Sequence, residues 1–214
     1  MVFMKRTLLL ALAIFASQLS VHAQSQGSQI LAEINLARTQ PQVYSGYVAE
    51  RAATWRGSEG PSAAMEAVRF LQKVRPLPPM QWSDGISQAA LSHVVDIGTR
   101  GARGHTGSRG ESPWKRMGRF GQFEGHAGEN ISYGYRDPRL IVISLIIDDG
   151  VRGRKHRQNL FSSNFRVAGV AVGSHAGFGT MCVMDFASGF TEQGQPRVAA
   201  RATLSRSIYS DRFY

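Results

Sequence analysis

Three residues of this 214-residue chain combine chemically active side chains with glycine-rich surroundings. His105 sits in Gly104-His105-Thr106-Gly107, Glu129 in Gly128-Glu129-Asn130-Ile131-Ser132-Tyr133-Gly134, and His156 in Lys155-His156-Arg157-Gln158-Asn159-Leu160. Imidazole with carboxylate makes either an acid/base pair, with Glu129 as the candidate base, or a site for a divalent ion, zinc above all. An acidic pair, Asp148-Asp149, stands between the last two motifs. There is no His-Glu-x-x-His pattern and the two histidines are far apart in the chain, so either chemistry requires a fold that brings them together.

Each residue also has a purely structural reading. Glu129 and Asn130 can accept and donate within a turn-rich segment, His156 can close a helix end, and His105 can be an ordinary loop histidine. His93, three residues before Asp96, reads as a supporting residue on a helix, while His126 and His175 carry no signal beyond their types. Nucleophilic catalysis is poorly supported. Cys182 lies in the β-rich run Met181-Cys182-Val183-Met184, where a small buried hydrophobe is the default, and no Gly-x-Ser-x-Gly elbow occurs. The glycines between 98 and 110 follow a helix rather than a strand, which excludes a phosphate-cradling loop of the usual kind.

The elements that must position these residues follow from periodicity and punctuation. Ile30, Leu31, Ile34 and Ala37 recur at helical spacing, Pro41 interrupts, and Val43, Tyr44, Tyr47 and Val48 resume. A loop at 56–61 leads into a helix from Ser62 to Val74, ended by Pro76, Pro78 and Pro79; residues 56–80 read as an insertion packed on the domain edge. A helix capped by Ser83 or Asp84 buries Ile86, Ala90, Val94 and Ile97 and stops at Gly98. From Gly98 to Gly128 the glycine density predicts a long ordered loop, with Trp114, Met117, Phe120 and Phe123 packing it down. Asp137-Pro138 starts a helix through the apolar run 140–147, and the runs Phe165 to Gly173 and Gly179 to Ser188 form a hairpin. Helices followed by an antiparallel sheet make an α+β fold.

Composition sets the broad class. The length suits one domain with one core. Lys5-Arg6, the apolar run Leu8 to Ala16 and Val21-His22-Ala23 form a signal-peptide layout over 1–23, with an apolar stretch too short to span a membrane. Removal of this leader leaves 23 basic residues against 15 acidic ones, and the single cysteine allows no internal disulfide. An anionic surface suits such a charge. The arginines are scattered, however, without the aromatic interleaving of a sequence-specific nucleic-acid reader. The segment 191–214 reads as a basic C-terminal extension.

The order of the three motifs resembles the CAP superfamily of cysteine-rich secretory, antigen 5 and pathogenesis-related 1 proteins, and within it the disulfide-free bacterial SCP-domain branch. The resemblance runs from Ile30 to Phe190. It implies a three-layer α-β-α sandwich with a central, mainly antiparallel sheet over 24–190. It also implies a cleft of two histidines and two acidic residues: His105, Glu129, His156 and either Asp148 or Asp149, with His105 and His156 holding the metal; His93 and Asn130 are read from their own positions as supporting residues. The chain departs from the pattern in lacking disulfides, in Lys155 where glycine is common, and in having aspartates where glutamate is usual. The resemblance implies a secreted binding or signalling module for a lipid, glycan or protein ligand. Two rivals remain: a metal- or histidine-dependent hydrolase, and a polyanion-binding envelope protein acting through its basic surface. Ligand identity and oligomeric state stay open.

Overall fold

The computed structural model describes residues 26–194. The leader at 1–23 and the extension beyond residue 194 lie outside the described residues.

Helix α1 (26–39) buries Ile30, Leu31, Ile34 and Ala37, as its spacing requires. Gln40 separates it from α2 (Pro41–Ala52), whose first residue lacks the N–H that a continuing helix would use. Helix α3 (Pro61–Lys73) follows, then the short strand β1 (Gln81–Trp82) and α4 (Asp84–Gly98). Ser83 caps α4 by accepting the Ile86 N–H.

The segment expected as one long loop, 98–128, is only partly irregular. It contains helix α5 (Pro113–Met117) and the first half of β2 (Gly121–Tyr133). Glycine weakens the local signal for a strand, and the strand exists because the β4 edge opposite it supplies hydrogen-bond partners. A bulge between Glu124 and Ala127 absorbs the irregular part, with Gly125 at φ +68°.

Helix α6 (Pro138–Ile147) has Asp137 as its cap, accepting the Leu140 N–H at 2.8 Å. The β-branched content of α6 does not make it a strand, because cap and proline start a helix and burial on nearly every face stabilises it. Helix α7 (Lys155–Leu160) and strands β3 (Val167–His175) and β4 (Gly179–Glu192) complete the chain.

The sheet order is β1-β3-β4-β2, with β1 parallel to β3 and the other pairs antiparallel. One face, formed by Ala168, Val170, Val172, Cys182, Met184 and Phe186, packs against α1, α2, α3 and α6. Alternate residues Ala171, Met181, Val183 and Ile131 face Ala90, Val94 and Ile97 of α4. The result is an α+β fold in which helices cover both faces of the sheet. Gly169 lets α4 settle onto β3: a Cβ there would lie 2.1 Å from the Ser87 nitrogen.

The region 56–80 is more central than an edge insertion. Ala63, Ala64, Ala67 and Leu71 of α3 belong to the main core, and the small alanines allow close approach. At the other end of the domain, β4 continues to Glu192. Its carboxylate accepts the Ser83 hydroxyl at 2.6 Å and the Gly85 N–H at 2.9 Å, tying the strand end to the start of α4. Among the described residues no helix is long and apolar enough to cross a membrane.

Candidate functional site

Strand β2 lies at the sheet edge, so a side chain from either helical layer can reach it. Successive strand residues point to opposite faces. Glu129 and Asn130 therefore serve the two layers separately, and each engages one of the histidine segments.

On the α4 side, His105 Nδ1 lies 2.7 Å from Glu129 Oε1. Arg116 of α5 donates to Glu129 Oε2 at 2.5 Å and to the His105 carbonyl at 3.0 Å. The loop carrying His105 is fixed twice more. His93 Nε2 lies 2.9 Å from the Gly104 carbonyl, and the Gly104 N–H donates to the Tyr133 hydroxyl at 3.0 Å. Gly104 has φ +103°, a backbone state that side chains oppose. Burial, reinforced by the nearby Arg116 charge, pushes the His93 pKa down to about 4, so this ring is a neutral donor to its carbonyl.

On the other side, His156 Nδ1 lies 2.6 Å from Asp148 Oδ1. Asp148 Oδ2 accepts the backbone N–H of His156 at 2.8 Å and of Arg157 at 3.4 Å. The N-cap of α7 is Arg154, in the left-handed region at φ 53° and with no side-chain cap bond. Asp148 thus acts as a remote cap while also orienting the imidazole. The Asn130 side chain donates to the His156 carbonyl at 3.0 Å and accepts from Asn159 at 2.9 Å.

Asp149 turns elsewhere. It accepts from Trp55 Nε1, the Ser58 hydroxyl and the Glu59 N–H, which joins the α2–α3 loop to the α6–α7 loop. Of the two aspartates, only Asp148 meets a histidine. His126 is exposed at the bulge. His175 is buried and structural: its Nε2 lies 2.9 Å from the Ala102 carbonyl, and its Nδ1 accepts from Gly177 and Phe178.

The two imidazole–carboxylate pairs share one design. The Glu129 and Asp148 side chains are 0% and 2% exposed, whereas the His105 and His156 side chains are 23% and 19% exposed. A carboxylate in its ionised form accepts only, and a ring that donates to it through Nδ1 keeps its lone pair on Nε2. Among the described residues no group of three or more His, Cys, Asp or Glu side chains is arranged to hold a metal. The donor set therefore does not form a closed structural zinc site among the described residues.

A family model for the cysteine-rich secretory protein family, CAP, matches residues 31–186. The chain belongs to this family. Solved structures similar to the CAP domain include an outer surface protein from Borrelia burgdorferi, at 15% identity and TM-score 0.45, covering 59% of this chain and 86% of that one. An extracellular SCP-domain protein from Bacillus anthracis shares 19% identity at TM-score 0.41, covering 59% of this chain and 37% of that one. A cysteine-rich secretory protein from Staphylococcus aureus shares 13% identity at TM-score 0.39, covering 62% and 40%. This chain thus spans well under half of the Bacillus and Staphylococcus chains. No curated protein matches it.

Sequence reading missed two buried residues that pack against Glu129. Arg116, buried at 2% exposure, looked like one of many scattered arginines, and no local pattern separates it from them. Asp185 is fully buried and pairs across the strands with Glu129. A lone acid in the apolar run Met181-Cys182-Val183-Met184-Asp185-Phe186 was the available signal, because an acid there needs a reason.

Proposed function

We propose that this CAP domain is an exported binding or signalling module whose His105/His156 site takes a divalent ion, zinc by donor chemistry, and presents it to a lipid, glycan or protein ligand. One observation carries the reading: each partly exposed imidazole has its Nδ1 committed to a buried carboxylate. That arrangement fixes ring orientation and raises ligand basicity, the support that metal-binding histidines ordinarily have. The ion would rest on His105 and His156, with its remaining positions open to water or ligand.

Beside Gly104, Tyr133 and the 43%-exposed Phe178 form an aromatic pair at 5.3 Å, with the Arg103 guanidinium over both rings. Such a patch suits the apolar face of a sugar or lipid. The leader layout and the family support export.

The hydrolase alternative requires Glu129 to take a proton from water. Both its oxygens are already engaged, by His105 and Arg116, and its side chain is closed to solvent. Geometry therefore favours binding over Glu129-based hydrolysis.

Calorimetric titration of the mature protein with zinc tests the reading. One ion per chain is expected, lost when His105 and His156 are both replaced by alanine and weakened about 10–100-fold by Asp148→Asn. Zinc-dependent hydrolysis of an ester, peptide or glycan that disappears in Glu129→Gln would instead support the enzyme.

A further inference from the structure

Asp185 of β4 lies directly opposite Glu129 of β2 in the antiparallel register, so the two side chains emerge on the same face, toward α4. Asp185 is 0% exposed, and among the described residues neither of its carboxyl oxygens meets an N–H or protein O–H donor. An ionised carboxylate buried without donors is strongly disfavoured by desolvation. What it faces is a second carboxyl group whose oxygens are held by His105 and Arg116. Two acceptors can share that space only if a proton lies between them.

We propose that Asp185 is a positioning residue that keeps its proton at neutral pH and donates it as an O–H hydrogen bond to Glu129. Glu129 then remains the ionised member, able to hold both Arg116 and His105 Nδ1–H. Asp185 acts on the exposed imidazole through Glu129 and touches no ligand itself.

The surroundings agree. Burial first, then the Glu129 charge, raises the Asp185 carboxyl well above the usual range, while Arg116 opposes the rise. Glu129, by contrast, accepts from the Arg116 guanidinium and lies 2.7 Å from His105 Nδ1. Among the described residues, His105 and Tyr133 also act on the pair, and His93, which faces Arg116 and His105, is held neutral. Among the described residues, the Arg116 guanidinium makes its direct carboxylate contact with Glu129 rather than Asp185. That assigns the negative charge to Glu129 and the proton to Asp185.

This inference rests on His105 being the functional imidazole only for its consequence, and its test uses no ion or ligand. The full mature chain is measured at neutral pH by infrared spectroscopy and by nitrogen-15 NMR of the histidine rings. Expected is a protonated carboxylic-acid carbonyl band in the wild type that disappears in Asp185→Asn. The His105 signals should stay those of the Nδ1–H tautomer in that variant, because the asparagine amide still donates to Glu129. Asp185→Leu, which cannot donate, should lose the band and also disturb the His105 signals. The proposal is overturned if the wild type shows no such band or if the band survives Asp185→Asn. It is equally overturned if Asp185→Asn moves the His105 signals as far as Glu129→Gln does, since Asp185 would then carry charge. Loss of zinc binding in an otherwise unchanged protein would count against the proposed function and leave this result intact.

Discussion

Replacing Asp148 by alanine separates the roles that this one side chain combines. The residue closes α6 in the left-handed conformation, at φ 55° and ψ 42°, which aspartate and asparagine tolerate and alanine does not, at a cost of about 1 kcal/mol. Its Oδ2 substitutes for the missing side-chain cap of α7, accepting the His156 and Arg157 N–H groups, and losing such a cap costs about 1 kcal/mol. Its Oδ1 holds His156 Nδ1 at 2.6 Å; because that ring is 19% exposed and can recover water, this bond is assigned only about 1 kcal/mol of its possible value. Asp148→Ala should therefore lower stability by about 3 kcal/mol, more than a hundredfold in the unfolding constant. Asp148→Asn keeps the backbone tolerance and one acceptor, so it should cost about 1 kcal/mol. Urea unfolding followed by tryptophan fluorescence measures both. An alanine variant within about 0.5 kcal/mol of wild type, or an asparagine variant as costly as alanine, would refute the assignment of these roles.

His93, at an ordinary value of 6.5 when unfolded and about 4 when folded, contributes stability that is complete above pH 6.5 and lost as pH falls through 4. The stability difference between wild type and His93→Gln should thus shrink by about 3 kcal/mol from pH 7 to pH 4 in parallel urea titrations. Taking that difference removes the opposite slope from the raised Glu129 and Asp185 groups, and a constant difference would show that His93 titrates normally. Gly169→Ala must push a methyl group into the backbone of α4, so a loss of about 2 kcal/mol or more is expected in thermal unfolding; a neutral result would mean that the helix can shift freely. Cys182 is fully buried and its thiol is raised by burial, so a thiol reagent should label it only on unfolding; rapid labelling of the native protein would contradict the core placement.

Punctuation made several elements readable before any coordinates. Asp137-Pro138 and Ser83 announce their helices because capping is a short-range interaction between neighbours in the chain. The first half of β2 was hidden, since its glycines carry no strand preference and its partner, β4, lies about sixty residues later. The site divides in the same way. His105, Glu129 and His156 stand out by type and by family resemblance, and each meets a partner that also belongs to the protein's predicted site or sits within it. The choice of Asp148 over Asp149 depends on a left-handed turn at the end of α6 that sends the adjacent side chains in different directions. Arg116 and Asp185 act through packing across layers and across strands, contacts that no local spacing encodes.

A crystal structure of the mature protein grown with zinc tests the central claim, that the two supported imidazoles form one ion site at the β2 edge. The expected result is a single ion about 2.0–2.1 Å from His105 Nε2 and His156 Nε2, with both Nδ1 contacts to Glu129 and Asp148 retained. An ion bound elsewhere while these rings stay bare, or rings held too far apart to share one, would contradict it.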